Sequence, residues 1–296
     1  MSAKIYIRTS LLAVVLSLAG GALLPARTMA QAAVQAPASQ ALLDQAYSAM
    51  YNLNFDQAFR DAEQAKAMAK DDPLPWVAEA CAALFREFNR YNILRSDLFA
   101  SDDAFDARNP HAWNPADRQQ FENALNGAKK IAQERLARNK NDAKALFSLA
   151  LVNGLQADDS ALLAKKDMAA LSFTKTANGY AERLLARVPS YYDAYVATGM
   201  GKYIIGGKSA PIRWLLRLDG FKGDQAEGVH ELSLAAAHGH YLAPFAKVLL
   251  AFNDLRHHNK NAARAKLEDL HEQFPNNPLF TRELAKLEKP AAGPGQ

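Results

Sequence analysis

The histidines are the side chains of this chain best suited to bind a metal ion. There are seven, and two pairs are close in sequence, His238-Gly239-His240 and His257-His258. A zinc site needs three or four converging ligands, with a Cys or a carboxylate joining the imidazoles. No such set accompanies either pair at motif spacing, so we expect solvated histidines in turns and no bound metal.

One short motif has the spacing of a serine nucleophile. Ser172-Phe173-Thr174-Lys175 matches the SxxK element of penicillin-recognising serine enzymes, which also need SDN and KTG elements. The sequence contains neither of these, and it also lacks HExxH, GxSxG and a phosphate-binding glycine loop. We therefore expect the SxxK match to be due to chance, and the protein to be neither an enzyme nor a carrier of a cofactor.

Two stretches have the residue spacing of closely packed helix pairs. In each, a small residue on the first helix is followed twelve positions later by a small residue on the second. This spacing resembles the tetratricopeptide repeat (TPR) family. The residues that carry the resemblance are Ala46, Phe55, Asp56, Gln57, Ala58 and Ala65 in one stretch, and Leu250, Ala251, Ala263, Leu267, Leu270 and Pro275 in the other.

The resemblance implies an all-α fold over the range 41–288. We expect a right-handed α-solenoid of about five TPR-like helical hairpins, with a C-terminal capping helix at 278–287. Ala and Leu dominate this range, and Gly and Pro fall at intervals suited to turns between helices. The resemblance implies a protein that binds a partner along the concave face of the solenoid.

Three of the five hairpins carry extra residues between their two helices. In the second hairpin we expect the first helix to run on toward Phe99, and 101–115 to be an inserted loop. The third hairpin is elongated, because its small residues Ala150 and Ala177 are 27 positions apart. The fourth has an insertion at 206–223.

The first thirty residues have the features of a signal peptide. Lys4 and Arg8 precede an apolar stretch, and Thr28-Met29-Ala30 resembles a cleavage site. The alternative, an uncleaved membrane helix, is less favoured because the apolar stretch is shorter than the roughly 20 residues of a bilayer span. We expect export to the periplasm or the outside, a flexible lead at 31–40 and a disordered tail at 289–296.

The net charge and the single cysteine exclude some kinds of binding partner and covalent link. Removal of the signal peptide takes away Lys4, Arg8 and Arg27 and no acid, so the formal net charge of +4 falls by three to +1. A nearly neutral protein has no reason to bind nucleic acid. Cys81 is the single cysteine and excludes an intrachain disulfide. The amphipathic run Ile212 to Leu218 is too short for a stable membrane anchor.

The predicted binding groove follows from the family's pattern. In TPR proteins, four positions on the first helix of each hairpin line the concave face. Matching these positions residue by residue gives an apolar and aromatic lining. It consists of Tyr47, Met50, Tyr51, Phe147, Leu151, Met200, Tyr203, Phe252 and Arg256, with Leu43, Val196, Val248 and Leu255 beside them.

Two functions fit such a groove. The first is an exported, non-catalytic protein that recruits another protein or a peptide, for which an apolar groove suits an amphipathic helix. The alternative is a periplasmic binding protein for a small apolar molecule, with the insertions roofing over the groove. Exported TPR proteins that serve solute-uptake systems resemble this second function. A third possibility is that the predicted groove residues are buried and form part of the ordinary hydrophobic core.

Overall fold

The structure is a computed structural model that describes residues 26–207 and 223–288. Within these ranges it contains thirteen α-helices and no strand, which confirms the predicted all-α class. The helices are α1 Ala26–Tyr51, α2 Phe55–Met68, α3 Leu74–Arg90, α4 Ser96–Phe99, α5 Asp102–Asp106, α6 Pro115–Arg138, α7 Ala143–Asp158, α8 Asp167–Leu185, α9 Tyr195–Gly206, α10 Gln225–His238, α11 Ala243–Arg256, α12 Lys260–Gln273 and α13 Pro278–Glu288. A π-helical turn, Asp159–Leu163, continues α7, and a 3₁₀ turn, Tyr192–Ala194, precedes α9.

The ten longest helices before α13 pack as adjacent pairs. The pairs are α1 with α2, α3 with α6, α7 with α8, α9 with α10, and α11 with α12. The second helix of each pair packs on the first helix of the next, and α13 packs on α12. These pairs correspond to the five hairpins expected from the sequence, and α13 lies where the capping helix was predicted.

The turns of the first and last pairs are built in the same way. Leu53 and His258 have positive φ angles of 59° and 60° and end the first helix of their pairs. Asn54 and Asn259 follow, and each side chain accepts a hydrogen bond from the backbone N–H three residues later, at 3.3 Å. Such an Asn satisfies one of the free donors at a helix start. The sequence resemblance was strongest in these two pairs.

The small residues expected at the helix contacts are buried. Ala58 is 1% exposed, and Ala62, Ala251 and Ala263 are 0% exposed. Small side chains let two helix backbones approach closely, while a larger one would force them apart. The burial agrees with the register predicted for the first and fifth pairs.

The prediction that the helix of the second pair runs on toward Phe99 is wrong. α3 ends at Arg90, and Asn92 has a positive φ of 51°. The N–H of Ile93 donates to the carbonyl of Phe88 at 2.8 Å. This is the hydrogen bond of a Schellman motif, in which a left-handed residue, often Gly or Asn, ends a helix.

The range 101–115 is more ordered than the loop that we predicted. It contains α5, and the largely buried Arg108 donates to the carbonyl of Ala161 at 2.8 Å. The Trp113 ring stacks on Phe121, and its indole N–H donates to Asp159 at 2.7 Å. The Asp, Asn and Pro content of this range suggested a loop, but these two large side chains anchor it to the π-helical turn.

The third pair is elongated, as predicted. The π-helical turn extends α7, and the N–H of Ala164 donates to the carbonyl of Asp159 at 2.9 Å. The insertion in the fourth pair lies largely outside the described residues, and with it the run Ile212 to Leu218.

The two ends of the chain lie mostly outside the described residues. The structure places 31–40, predicted as a flexible lead, within α1, and this segment is rich in the good helix formers Ala and Gln. The ranges 1–25 and 289–296 are not described. In the described part of the chain, no helix is both long and apolar enough to cross a membrane.

The last helix pair returns to the first. The rings of Tyr47 and Tyr241 stack with centroids 4.6 Å apart, and the Tyr51 hydroxyl donates to the carbonyl of Tyr241 at 2.9 Å. The side-chain amide of Asn277, just before α13, donates to the carbonyl of Tyr51 at 2.9 Å. The first helices of the five pairs therefore surround a common interior.

Candidate functional site

The interior contains a cavity of about 320 Å³. The first helix of each of the five pairs contributes to the lining of this cavity. Examples are Tyr47 from α1, Phe85 from α3, Leu151 from α7, Met200 from α9 and Phe252 from α11. Pockets that bind small molecules enclose about 300 to 1,000 Å³ and are mostly apolar with a few polar groups. The cavity has both properties.

All nine residues that we proposed for the groove line this cavity. Five of them are buried, with exposed fractions between 0% for Phe147 and 7% for Tyr51. The others are partly buried. The nine are Tyr47, Met50, Tyr51, Phe147, Leu151, Met200, Tyr203, Phe252 and Arg256. Of the four residues expected beside them, Val196 also lines the cavity, whereas Leu43, Val248 and Leu255 do not.

Side chains from the segment between α3 and α6 cover part of the interior. Phe99 stacks on Phe252 with ring centroids 5.4 Å apart, and Phe105 packs on Phe99 at 6.1 Å. Both phenylalanines line the cavity, as does Leu94. We did not propose these three residues as groove residues from the sequence.

An ion pair lies where the lining meets solvent. The Arg256 guanidinium contacts the Asp102 carboxylate at 2.6 Å, and the Asp102 side chain is 73% exposed. This carboxylate raises the pKa of Arg256, and burial opposes the effect. Gly207 and Gln225 also line the cavity here, close to the range 208–222 that is not described.

A second carboxylate in the lining holds the backbone in place. Asp193 is 5% exposed and accepts hydrogen bonds from the N–H groups of Tyr241 at 3.1 Å and Leu242 at 2.9 Å. These bonds fix the turn between α10 and α11, which carries the Tyr241 ring to α1. Asp193 therefore has a structural role.

Asp158 differs from both of these carboxylates. It is the last residue of α7, lines the cavity, and has no hydrogen-bond or ion-pair partner among the described residues. Burial, with a smaller contribution from the charge of Asp159, raises the pKa of Asp158 to about 7. Asp159 itself is paired, because Arg118 contacts it at 2.8 Å and Trp113 donates to it.

Asp158 also lies at an irregular point of its helix. The π-helical turn begins at the next residue. Such turns are rare, and they occur often at functional sites because the extra residue redirects the neighbouring side chains. No residue spacing in the sequence indicated this irregularity.

Two further polar groups, from Cys81 and Tyr47, line the cavity. Cys81 is 4% exposed, and burial raises the pKa of its thiol to about 12, with a smaller contribution from the Asp158 charge. The Tyr47 hydroxyl lies beside this thiol and makes no hydrogen bond of ordinary geometry. A buried hydroxyl without a partner is uncommon and costs free energy.

The histidine pairs lie at turns and outside the cavity lining. His240 contacts the Asp44 carboxylate at 2.8 Å, and the His257 ring nitrogen lies 2.8 Å from the carbonyl of Asn253. Within the ranges 26–207 and 223–288, no three His, Cys, Asp or Glu side chains are grouped so that they could hold a metal ion. Ser172 and Lys175 of the SxxK match are exposed on α8.

Neither a family model nor a curated protein nor a solved structure matches this chain. The resemblance to TPR proteins therefore stays a prediction from the residues quoted above. A helical fold does not by itself identify a function, which depends on the geometry and chemistry of a site. Here that site is the cavity, and its volume, apolar lining and few polar groups are the basis for the function.

Proposed function

We propose that this protein is a non-catalytic binding protein that encloses a small apolar molecule in its central cavity. The observation that carries the proposal is the cavity of about 320 Å³, lined by apolar and aromatic side chains of all five helix pairs. Apolar surface removed from water contributes about 25 cal/mol per Å² to binding. Tyrosine rings and the flexible Met200 side chain adapt to ligands of irregular shape.

Recruitment of a partner helix, our first hypothesis from the sequence, has less support. A partner helix needs a groove open to solvent into which it can place its apolar face. Phe147 is 0% exposed, Tyr47 4% and Phe252 5%, so these side chains offer little surface to a helix. Phe99 and Phe105, from the segment between α3 and α6, cover the same region.

We infer that the helix pairs form a TPR-like, right-handed superhelix whose last pair meets its first. The matching turns of the first and last pairs and the buried Ala251 and Ala263 support a repeated unit. We also propose that residues 1–30 direct export. A binding protein outside the cytoplasm would serve the uptake or delivery of a molecule that is poorly soluble in water.

Native mass spectrometry of the protein purified from its source tests this function. We expect a retained small molecule that organic solvent releases. The empty protein should bind diphenylhexatriene, a neutral apolar dye that fluoresces when it leaves water. A protein that retains no small molecule, binds no dye and instead co-purifies with a protein partner would contradict the proposal.

A matched pair of variants links dye binding to the cavity. Gly154 lines the cavity, and a Cβ atom built there would meet nothing within 4 Å. Gly154→Phe should therefore fill the cavity and abolish dye binding without loss of stability, because glycine is a poor helix former. Gly179 on α8 has equal space but does not line the cavity. Gly179→Phe should leave dye binding unchanged, and an equal loss in both variants would place the dye elsewhere.

A further inference from the structure

We propose that the bound molecule is an apolar amine whose ammonium group pairs with the carboxylate of Asp158. This inference rests on the proposed function, since it concerns the ligand of the same cavity. An apolar cavity selects a ligand's shape and hydrophobicity, while its few polar groups fix the ligand's orientation.

Three aspartates among the described residues line the cavity, and two of them are already paired. Asp102 contacts Arg256 at 2.6 Å, and Asp193 accepts two backbone N–H groups. Asp158 has no partner among the described residues. A carboxylate in such surroundings is costly unless it is paired. A cationic ligand would supply the missing charge.

The carboxylate, thiol and hydroxyl groups that adjoin Asp158 in sequence or share the cavity lining with it can each accept a hydrogen bond. Asp159, on the adjoining π-helical turn, forms an ion pair with Arg118. The Cys81 thiol on α3 lines the cavity, and the Asp158 charge contributes to its raised pKa. The unpaired Tyr47 hydroxyl of α1 adjoins that thiol. An ammonium group brings three N–H donors and no acceptor, which suits these surroundings.

A ligand with a carboxylate fits the cavity less well. Arg256 supplies the one guanidinium among the described lining residues, and it already contacts Asp102, so an anionic ligand would have to displace this carboxylate. It would also bring a negative charge into a cavity that contains Asp158. A neutral alcohol would meet neither obstacle, but it would leave the Asp158 charge uncompensated.

The pH dependence of binding separates an amine from a neutral ligand. Burial raises the pKa of Asp158 to about 7, so this carboxyl is protonated in the empty protein under mildly acidic conditions. An alkylammonium ion, with a pKa of ~10.4, stays charged there. Amine binding should therefore weaken as the pH falls below about 7, by up to tenfold per pH unit. Alcohol binding should not weaken in this way.

Calorimetric titration of the full-length protein with three probes of equal chain length tests the proposal. The probes are decylamine, decan-1-ol and decanoate. We expect decylamine to bind roughly tenfold or more tightly than decan-1-ol at about pH 8, as a hydrogen bond to a charged group is stronger than one between neutral groups. Asp158→Asn should remove this advantage and the pH dependence, and leave decan-1-ol binding intact.

Asp103→Asn is the matched control, because it makes the same change at an exposed carboxylate of α5 that does not line the cavity. It should keep the preference for decylamine. Decan-1-ol or decanoate binding as tightly as decylamine would overturn the inference and leave the proposed function standing. Binding of none of the three probes, together with no dye binding, would overturn both. Retention of the preference in Asp158→Asn would place the ammonium elsewhere and overturn the inference alone.

Discussion

Gly199 of α9 and Gly228 of α10 lie back to back at the contact between their helices. A Cβ atom on Gly199 would come within 2.9 Å of the carbonyl oxygen of Gly228, and one on Gly228 within 2.7 Å of the carbonyl oxygen of Gly199. Real Cβ atoms essentially never approach backbone so closely. The fourth helix pair can therefore pack in this way only with glycine at both positions.

Alanine at either glycine should destabilise the protein. The added methyl group meets backbone, which cannot move aside as a flexible side chain can, and overpacking of this kind costs about 1 to 3 kcal/mol. Chemical denaturation of Gly199→Ala and Gly228→Ala measures the loss. The control is Gly154→Ala, where the methyl group has open space and the better helix propensity of alanine should add up to ~1 kcal/mol. Equal stability of the three variants would mean that α9 and α10 pack differently.

The sequence predicted the parts of the fold that depend on local spacing. The first and fifth pairs were recognised from Ala58 and Ala263, because small residues let two helices approach closely, and the structure buries both residues. Helix pairing is encoded in residues close in sequence, so a single chain suffices to predict it.

The contacts that make the site are distant in sequence and could not be predicted in this way. Tyr47 stacks on Tyr241, and no local pattern indicates that the last pair returns to the first. The predicted groove residues all line the cavity, but we had assigned them to an open surface. Asp158 was missed because its importance depends on its place in the cavity lining and on having no partner among the described residues, and neither property is visible in residue types.

Phe252 should contribute strongly to stability as well as to binding. It is 5% exposed and stacks on Phe99, whereas an open groove would have left it dispensable. Loss of a buried phenylalanine costs about 3 to 5 kcal/mol. Phe252→Ala should therefore lower the free energy of unfolding by an amount near the lower end of this range, because one side of the ring faces the cavity. Phe173→Ala, outside the hydrophobic core, is the control and should cost far less.

Cys81 should react very slowly with thiol reagents in the native protein. It is 4% exposed, and burial raises the pKa of its thiol to about 12. The thiolate is the reactive form, so at about pH 8 the native rate should be about a thousandfold below that of the unfolded chain. Ellman's reagent with and without denaturant measures the ratio. A native rate near the unfolded one would show that Cys81 is open to solvent, and that the cavity is not enclosed at α3.

Asp158 should make the empty protein less stable as the pH rises. Burial raises the pKa of its carboxyl to about 7, above the value of ~3.9 expected in the unfolded chain. Between these two values the folded protein binds the extra proton, so its stability falls as the pH rises from about 4 to about 7. Asp158→Asn carries no charge and avoids this loss. The variant should therefore be more stable than the natural protein by about 1 to 4 kcal/mol at about pH 8, and the difference should shrink below ~1 kcal/mol near pH 4.

Chemical denaturation at both pH values measures this difference in stability. Asp102→Asn is the exposed control and should show no such gain. A variant that is less stable than the natural protein at about pH 8 would mean that Asp158 has a partner in the folded chain, and the cavity would then offer no free carboxylate to an amine.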